Sequence, residues 1–301
     1  MTLTQRVEEL TISCTNESKR DIGAFILQKK SRLREYSTQQ IAAETYTSKA
    51  ALVRFAKSLG FSGWTDFSRE YVGEQRYQET HYSEIDPNVP FREDSSTQDI
   101  IQQMCSLQME SLMDTADLLA AQTVDKIVDL MKRSGRIALF GMSPNNLLGE
   151  LFRRRMLTVG RMIEVPALGD SGLLASTLRE NDCAVIVSYS GNAPDREPLN
   201  TLRSLEPNRV PVVGITSYGS NYLRRHAAYV LSISSQEKLY SKISTFATET
   251  SIHYILNVLF SVYFARDYQE NFARKVENGR ILEYQRFSHI SELREDDSPK
   301  S

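Results

Sequence analysis

The chain has 301 residues, enough for about two domains at roughly 100 to 200 residues each. Its 41% hydrophobic and 25% charged residues are the proportions of a folded globular protein, which excludes collagen-like and wholly disordered architectures. With 36 basic against 38 acidic side chains, a net charge of -2, no global field draws the molecule to nucleic acid or to a membrane, so any such attraction must be local.

Three cysteines, Cys14, Cys105 and Cys183, stand far apart and are odd in number, which argues against a disulfide framework or a zinc knuckle and for a reducing compartment. The four histidines, His81, His226, His253 and His289, lack metal-ligand spacing, so no metal or other cofactor is expected. Met1 to Leu10 carries Glu8 and Glu9 and has no apolar block, unlike a signal peptide. The most apolar stretch, Ile255 to Ala265, is too short and too interrupted by Asn257 and Ser261 to span a bilayer. The expectation is a cytoplasmic protein with no membrane segment.

Residues 1–78 carry helical spacing: Ile22, Phe25 and Ile26 fall at i, i+3, i+4, and Leu52, Phe55, Ala56 and Leu59 repeat the pattern. Ser37-Thr-Gln-Gln40 has the form of a capping box and starts a short helix carrying Ile41 and Ala42 inward. Tyr46 breaks the pattern, Thr47 or Ser48 can cap a next helix, and Leu59-Gly60-Phe61 closes it. Two short helices joined by a tight turn result. From Glu17 to Gly60, nine basic residues (Lys19, Arg20, Lys29, Lys30, Arg32, Arg34, Lys49, Arg54, Lys57) face four acidic ones (Glu17, Asp21, Glu35, Glu44), a local excess of five positive charges. At 100° per residue, the second helix of the pair turns Ala50, Arg54 and Lys57 away from its apolar side, with Lys49 and Val53 flanking. A small, basic face of this kind suits entry into the DNA major groove, and it also suits a solvated helix on an ordinary bundle.

The stretch from Ser37 to Phe67, and especially Ser48 to Phe67 with Arg54-Phe55, Leu59-Gly60-Phe61 and Gly63, resembles the helix-turn-helix domain of RpiR-type bacterial transcriptional regulators. Position 51, commonly Thr or Ser in that family, is Ala here. Helical spacing and resemblance together imply double-stranded DNA as partner and Ser37, Thr38, Thr47, Ser48, Lys49, Ala50, Arg54 and Lys57 as the residues against it.

Residues 79–97 are polar, with two prolines and no apolar period, and form the expected linker. A helical pattern returns from Gln98 to Leu119, capped by Ser95 or Ser96, and opens the second domain, 98–270. After Gly135 come short apolar runs, Ile137 to Phe140, Ala184 to Val187 and Val210 to Ile215, separated by helical segments. They predict parallel strands buried on both faces. A further strand is expected at Tyr229 to Ile233 and a weaker one near Met162 to Val165. The fold class expected is thus an all-α N-terminal helix-turn-helix domain plus a three-layer α/β domain with a central parallel sheet. A buried helix from Leu239 to Asp267 follows, then a C-terminal helix and tail over 271–301, frayed from Glu292.

Each strand runs into a loop of small polar residues: Gly141-Met-Ser143-Pro-Asn145-Asn146, Ser188-Tyr-Ser190-Gly191-Asn192 and Thr216-Ser217-Tyr-Gly219-Ser220-Asn221. At the carboxyl edge of a parallel sheet, following helices would aim free N–H groups at an anion, although the same Ser and Asn are also preferred helix caps. No dinucleotide glycine fingerprint and no Walker lysine is present. Residues 122–267 resemble the sugar isomerase (SIS) domain, the usual effector module of RpiR-type regulators, through the Ser188-x-Ser190-Gly191 loop. The resemblance implies a phosphorylated sugar as ligand, held by Ser143, Asn145, Asn146, Ser188, Ser190, Gly191, Asn192, Thr216, Ser217 and Glu237. Where the family commonly has Gly-x-Gly-x-Ser and a Thr after the second loop, this chain has Gly141-Met-Ser143-Pro-Asn145 and Ala193. An isomerase would need a base, for which Glu237, Glu249 and His253 are the candidates. The preferred expectation is no enzyme but a regulator, a homodimer or homotetramer on a palindromic operator.

Overall fold

The computed structural model describes residues 3–14, 16–81, 85–167, 169–219, 221–234 and 236–283. The N-terminal region is all helix: α1 (Leu3–Ser13), α2 (Glu17–Lys29), α3 (Thr38–Glu44), α4 (Lys49–Ser58) and α5 (Trp64–His81), with a 3-10 turn over Lys30–Glu35. Its core gathers Ile22, Ile26, Leu52, Phe55, Phe67 and Tyr71. Phe67 is the hub, with ring centroids 5.4 Å from Trp64, 5.6 Å from Phe61, 5.7 Å from Tyr71 and 5.9 Å from Phe55. Such rings supply large apolar area plus edge-to-face attraction, which is how a small helical unit acquires a defined core. α1 is fastened to the bundle by the Glu74 carboxylate, which accepts from the N–H groups of Leu3 (2.7 Å) and Thr4 (2.8 Å) and so caps a helix from the far side of the domain.

The second region opens with α6 (Thr97–Leu118), whose N-cap Ser96 forms a capping box with Asp99, and α7 (Ala121–Arg133). β1 (Ile137–Gly141), β2 (Cys183–Val187), β3 (Val212–Ser217) and β4 (Tyr229–Ile233) then form one parallel sheet in the order β1-β2-β3-β4. The weaker strand expected near Met162 to Val165 is present as a single parallel bridge, Ala138 to Glu164. Because side chains alternate along a strand, Ile137, Leu139, Val185 and Val187 face α7, α8 (Asn145–Leu157) and α12 (Phe246–Arg266). Ala138, Phe140, Ala184 and Ile186 face the opposite layer of α9 (Ser171–Thr177), α10 (Leu202–Leu205) and α11 (Tyr222–His226). Both sheet faces are covered, giving the three-layer α/β architecture. α8 lies close on β1, since a Cβ added at Gly149 would sit 2.5 Å from Leu139 Cδ2.

The helix expected from Leu239 begins instead at Phe246. The intervening residues are held out of the helix by Glu237, whose carboxylate accepts from the N–H groups of Ala247 (2.7 Å) and Thr248 (3.2 Å) and so fixes the first turn there. α12 is buried through Ile252, Ile255, Leu256 and Leu259. Its remaining face continues into α13 (Tyr268–Leu282) as an aromatic series, Phe260, Phe264, Tyr268 and Phe272, with successive centroids 5.9, 5.5 and 6.0 Å apart. Tyr268 and Phe272 are more than half exposed. Cys14, Cys105 and Cys183 are free thiols, and burial pushes the Cys183 thiol up to about 12. Among the described residues no helix is long and apolar enough to cross a membrane, and no His/Cys/Asp/Glu group could hold a metal ion. Ser220 of the third loop and the tail expected to fray from Glu292 lie outside the described residues.

Candidate nucleic-acid interface and effector site

α3 and α4 form the two-helix unit expected from the spacing. Ser37 caps α3: its Oγ accepts from Gln40 N–H (3.2 Å), and the Gln40 Oε1 returns the bond to Ser37 N–H (2.8 Å). The chain then turns at Tyr46, which has φ of 51° and is exposed, and Thr47 N–H donates to Ala42 C=O (2.8 Å). Ser48 caps α4 by accepting from Ala51 N–H (3.2 Å). At the far end, Gly60, at φ of 88°, lets Phe61 N–H reach Ala56 C=O (3.1 Å) and its own N–H reach Lys57 C=O (3.0 Å), a Schellman closure.

α4 buries Ala51, Leu52, Phe55 and Ala56. Lys49, Ala50, Val53, Arg54 and Lys57 are exposed, and none of the three cations has an acidic partner among the described residues. Ser37 and Ser48 are exposed, and Thr38 and Thr47 half-buried, around the same edge. The family departure at position 51 therefore falls on the packed side of α4 and leaves the outward surface unaltered. The result is a rigid helix presenting free positive charge above a shallow, small-residue surface.

The carboxyl edge of the sheet brings the three loops together, with different local outcomes. After β1, Ser143 is exposed and Asn145 and Asn146 stand half-buried at the first turn of α8, where Asn145 N–H donates to Met142 C=O (2.7 Å) and Leu147 N–H to Pro144 C=O (3.0 Å), so the turn is closed on the loop itself. After β2, Ser188 and Ser190 are half-buried. Gly191 takes φ of 62°, and a Cβ there would meet Asn221 Oδ1 at 2.5 Å and Thr216 Oγ1 at 2.7 Å, so only glycine fits. No helix starts at this loop: the next regular elements are a 3-10 turn at Leu199–Thr201 and α10. The expected convergence of three free helix N-termini is thus not formed: α11 is a five-residue helix, and the first-turn N–H groups of α8 are bonded to Met142 and Pro144.

Several residues expected at the ligand hold the loops together. Thr216 and Ser217 are buried, Thr216 Oγ1 donating to Tyr189 C=O (3.2 Å) and accepting from Asn221 Nδ2 (3.0 Å), while Ser217 N–H donates to Tyr189 C=O (3.0 Å). The Asn192 side chain accepts from Tyr222 N–H (3.0 Å), joining the second loop to α11. Glu237 is fully buried; besides capping α12 it accepts from Thr248 Oγ1 (2.8 Å) and pairs with Lys242 Nζ (3.1 Å). Glu249 engages Thr245, and His253 contacts Arg155 Nη2 at 3.2 Å, so the two do not form a joint base. Burial, with Arg155 beside it, holds the His253 imidazole below its ordinary range.

Two residues at this edge were not singled out by sequence. Tyr189, between the two loop serines, donates its hydroxyl to Glu237 C=O (2.8 Å), and Lys242 Nζ stands 5.6 Å from the Tyr189 ring centroid. A lysine five residues after a buried glutamate carries no local pattern, so only the fold reveals it. Lys242 thus sets one cation beside the second loop, and Arg224, whose Nη2 donates to Ser217 C=O (3.2 Å), sets another beside the third.

Family models match both regions: a helix-turn-helix domain of the rpiR family over residues 1–74, and a SIS domain over residues 130–259. A curated relative, an uncharacterized HTH-type transcriptional regulator of Haemophilus influenzae, is 25% identical over 219 residues, spanning 71% of this chain and 74% of that one. Among solved structures, the Vibrio vulnificus NanR protein complexed with ManNAc-6P superposes with a TM-score of 0.58 at 19% identity, covering 93% of this chain and 98% of that chain. The sugar isomerase domain of an RpiR transcription factor from Sphaerobacter thermophilus gives 0.53 at 17% identity over 60% and 98%. At these identities the two structures share the fold.

Proposed function

The chain belongs to the RpiR family of transcriptional regulators, a DNA-binding helix-turn-helix followed by a SIS sugar-sensing domain, and from that premise we propose how its residues divide the work. It is a regulator and not an enzyme. α4 enters the major groove of a duplex operator, with Arg54 and Lys57 reaching base edges or phosphates and Lys49, Ala50, Thr47, Ser48, Ser37 and Thr38 along the approach. The sheet edge takes a phosphorylated sugar, with Ser143, Asn145, Asn146, Ser188, Ser190 and Gly191 around the phosphate, the Gly191 N–H donating to Ser188 Oγ (3.3 Å) and so orienting that hydroxyl. Thr216, Ser217, Asn192 and Glu237 keep those loops in place. The observation that carries this reading is the pairing, in one chain, of an unneutralised basic helix face with an open Ser-x-Ser-Gly loop at a parallel sheet edge.

The protein acts in the cytoplasm as a homodimer or homotetramer. The aromatic series from Phe260 to Phe272 supports self-association, since apolar rings left half exposed along one helix face are stabilised when a second copy covers them. Selection of operator from random oligonucleotides, run beside a thermal-shift screen of hexose and amino-sugar phosphates that includes ManNAc-6P, tests the whole. Selective DNA retention plus a melting shift with at least one sugar phosphate is expected; turnover of any of these sugars would overturn it.

A further inference from the structure

We propose that occupancy of the effector cradle is passed to the DNA-binding helices through the 237–243 segment, clamped to the connection between the domains by Asn88; this rests on the effector reading above. Asn88 lies in the polar stretch expected to be a free linker, yet it is buried. Its Oδ1 accepts from Lys238 N–H (2.6 Å) and its backbone C=O accepts from Ile243 N–H (2.9 Å), so one residue holds both ends of the segment. The Asp86 carboxylate sets the turn, accepting from Asn88 N–H and Nδ2, both at 2.8 Å. Ile85 and Pro87 line one cavity with Leu107, Asp114 and Ala247, so the connection runs against the sensor domain before reaching Asn88.

The same segment touches the cradle from its other side. Glu237 C=O accepts from the hydroxyl of Tyr189, whose neighbours Ser188 and Ser190 are the loop serines. Lys242, one residue before the Ile243 end of the clamp, divides its ammonium between Glu237 and the Tyr189 ring. A phosphate dianion arriving at Ser188 and Ser190 brings two negative charges beside that ammonium, in competition with a carboxylate already satisfied by three other donors. Drawing Lys242 toward the effector moves the backbone that Asn88 grips. α5, which packs against α4, ends at His81, seven residues before Asn88, so a change at the clamp lies close in sequence to the helix that supports the DNA-binding pair. Coupling of this kind is reciprocal: operator binding must alter effector affinity by the same factor.

The test uses the full chain as Asn88→Ala, with Asp86→Ala as the milder variant that removes the turn and leaves Asn88 in place. The probes are the hexose and amino-sugar 6-phosphates of the thermal-shift screen. Asn88→Ala is expected to keep the native melting shift, and to bind operator without probe within about twofold of native. The ratio of operator Kd with and without probe should fall about tenfold toward unity, within the usual span of allosteric coupling. Asp86→Ala should shift that ratio in the same direction by a smaller factor, and it decides the matter if Asn88→Ala does not fold. An unchanged ratio in both variants overturns the clamp while leaving the sensor reading intact. Absence of a melting shift with every probe in the native chain removes the sensor reading, and the clamp with it.

Discussion

On α4 the charged groups stand clear of the packing: Leu52, Phe55 and Ala56 hold the helix, and Lys49, Arg54 and Lys57 are free to meet a partner. At the sheet edge, by contrast, most polar groups are tied to one another, Thr216 to Tyr189 and Asn221, Asn192 to Tyr222, Glu237 to α12 and Lys242. A helix separates holding from binding by its period, so the two tasks fall to different residues. Loops at a sheet edge have no such division, and much of their hydrogen-bonding capacity is spent on fixing their own shape before any ligand arrives.

Substitutions can break this contrast in order of expected size. Phe55→Ala should remove about 3–5 kcal/mol from the helical domain by leaving a cavity under Phe67. Two unfolding transitions are expected by calorimetry, with only the helical one lowered; a joint shift would show that the regions do not unfold separately. Arg54→Ala with Lys57→Ala should cost about 2–4 kcal/mol of operator binding, roughly 30- to 1,000-fold, with unchanged melting. A shallower dependence of log affinity on log salt, by about two for each DNA-bound protomer, would assign both side chains to phosphates. Ser188→Ala with Ser190→Ala should abolish the sugar-phosphate melting shift, which for native protein at about 100 times Kd corresponds to about 2.7 kcal/mol. An identical shift in that variant would move the phosphate elsewhere. Smallest is Ser37→Ala, expected to cost about 1 kcal/mol through the lost α3 cap and to lower the helical transition by a few degrees.

How much was legible follows from which forces are local. The caps at Ser37, Ser48 and Ser96, the glycine stop at Gly60 and the strands from Ile137, Ala184 and Tyr229 depend on neighbours in sequence, and the structure has them where spacing predicts. The late start of α12 depends on a buried carboxylate outside the helix, Glu237 ten residues before Ala247, which no helical period announces. The burial of Thr216 and Ser217 arises because β3 is flanked by strands on both sides, a position that sequence spacing leaves open. Asn88 was hidden for the same reason: its partners Lys238 and Ile243 lie about half the chain away.

The close seating of Gly149 on Leu139 sets a fixed dimension at the mouth of the sensor. The Leu139 side chain fills the space under Gly149, so a larger residue at 149 must displace either that side chain or the start of α8 that carries Asn145 and Asn146. Ser143, exposed, and Ala193, half-buried, lie outside that contact, so substitutions there leave the seating of α8 on β1 in place.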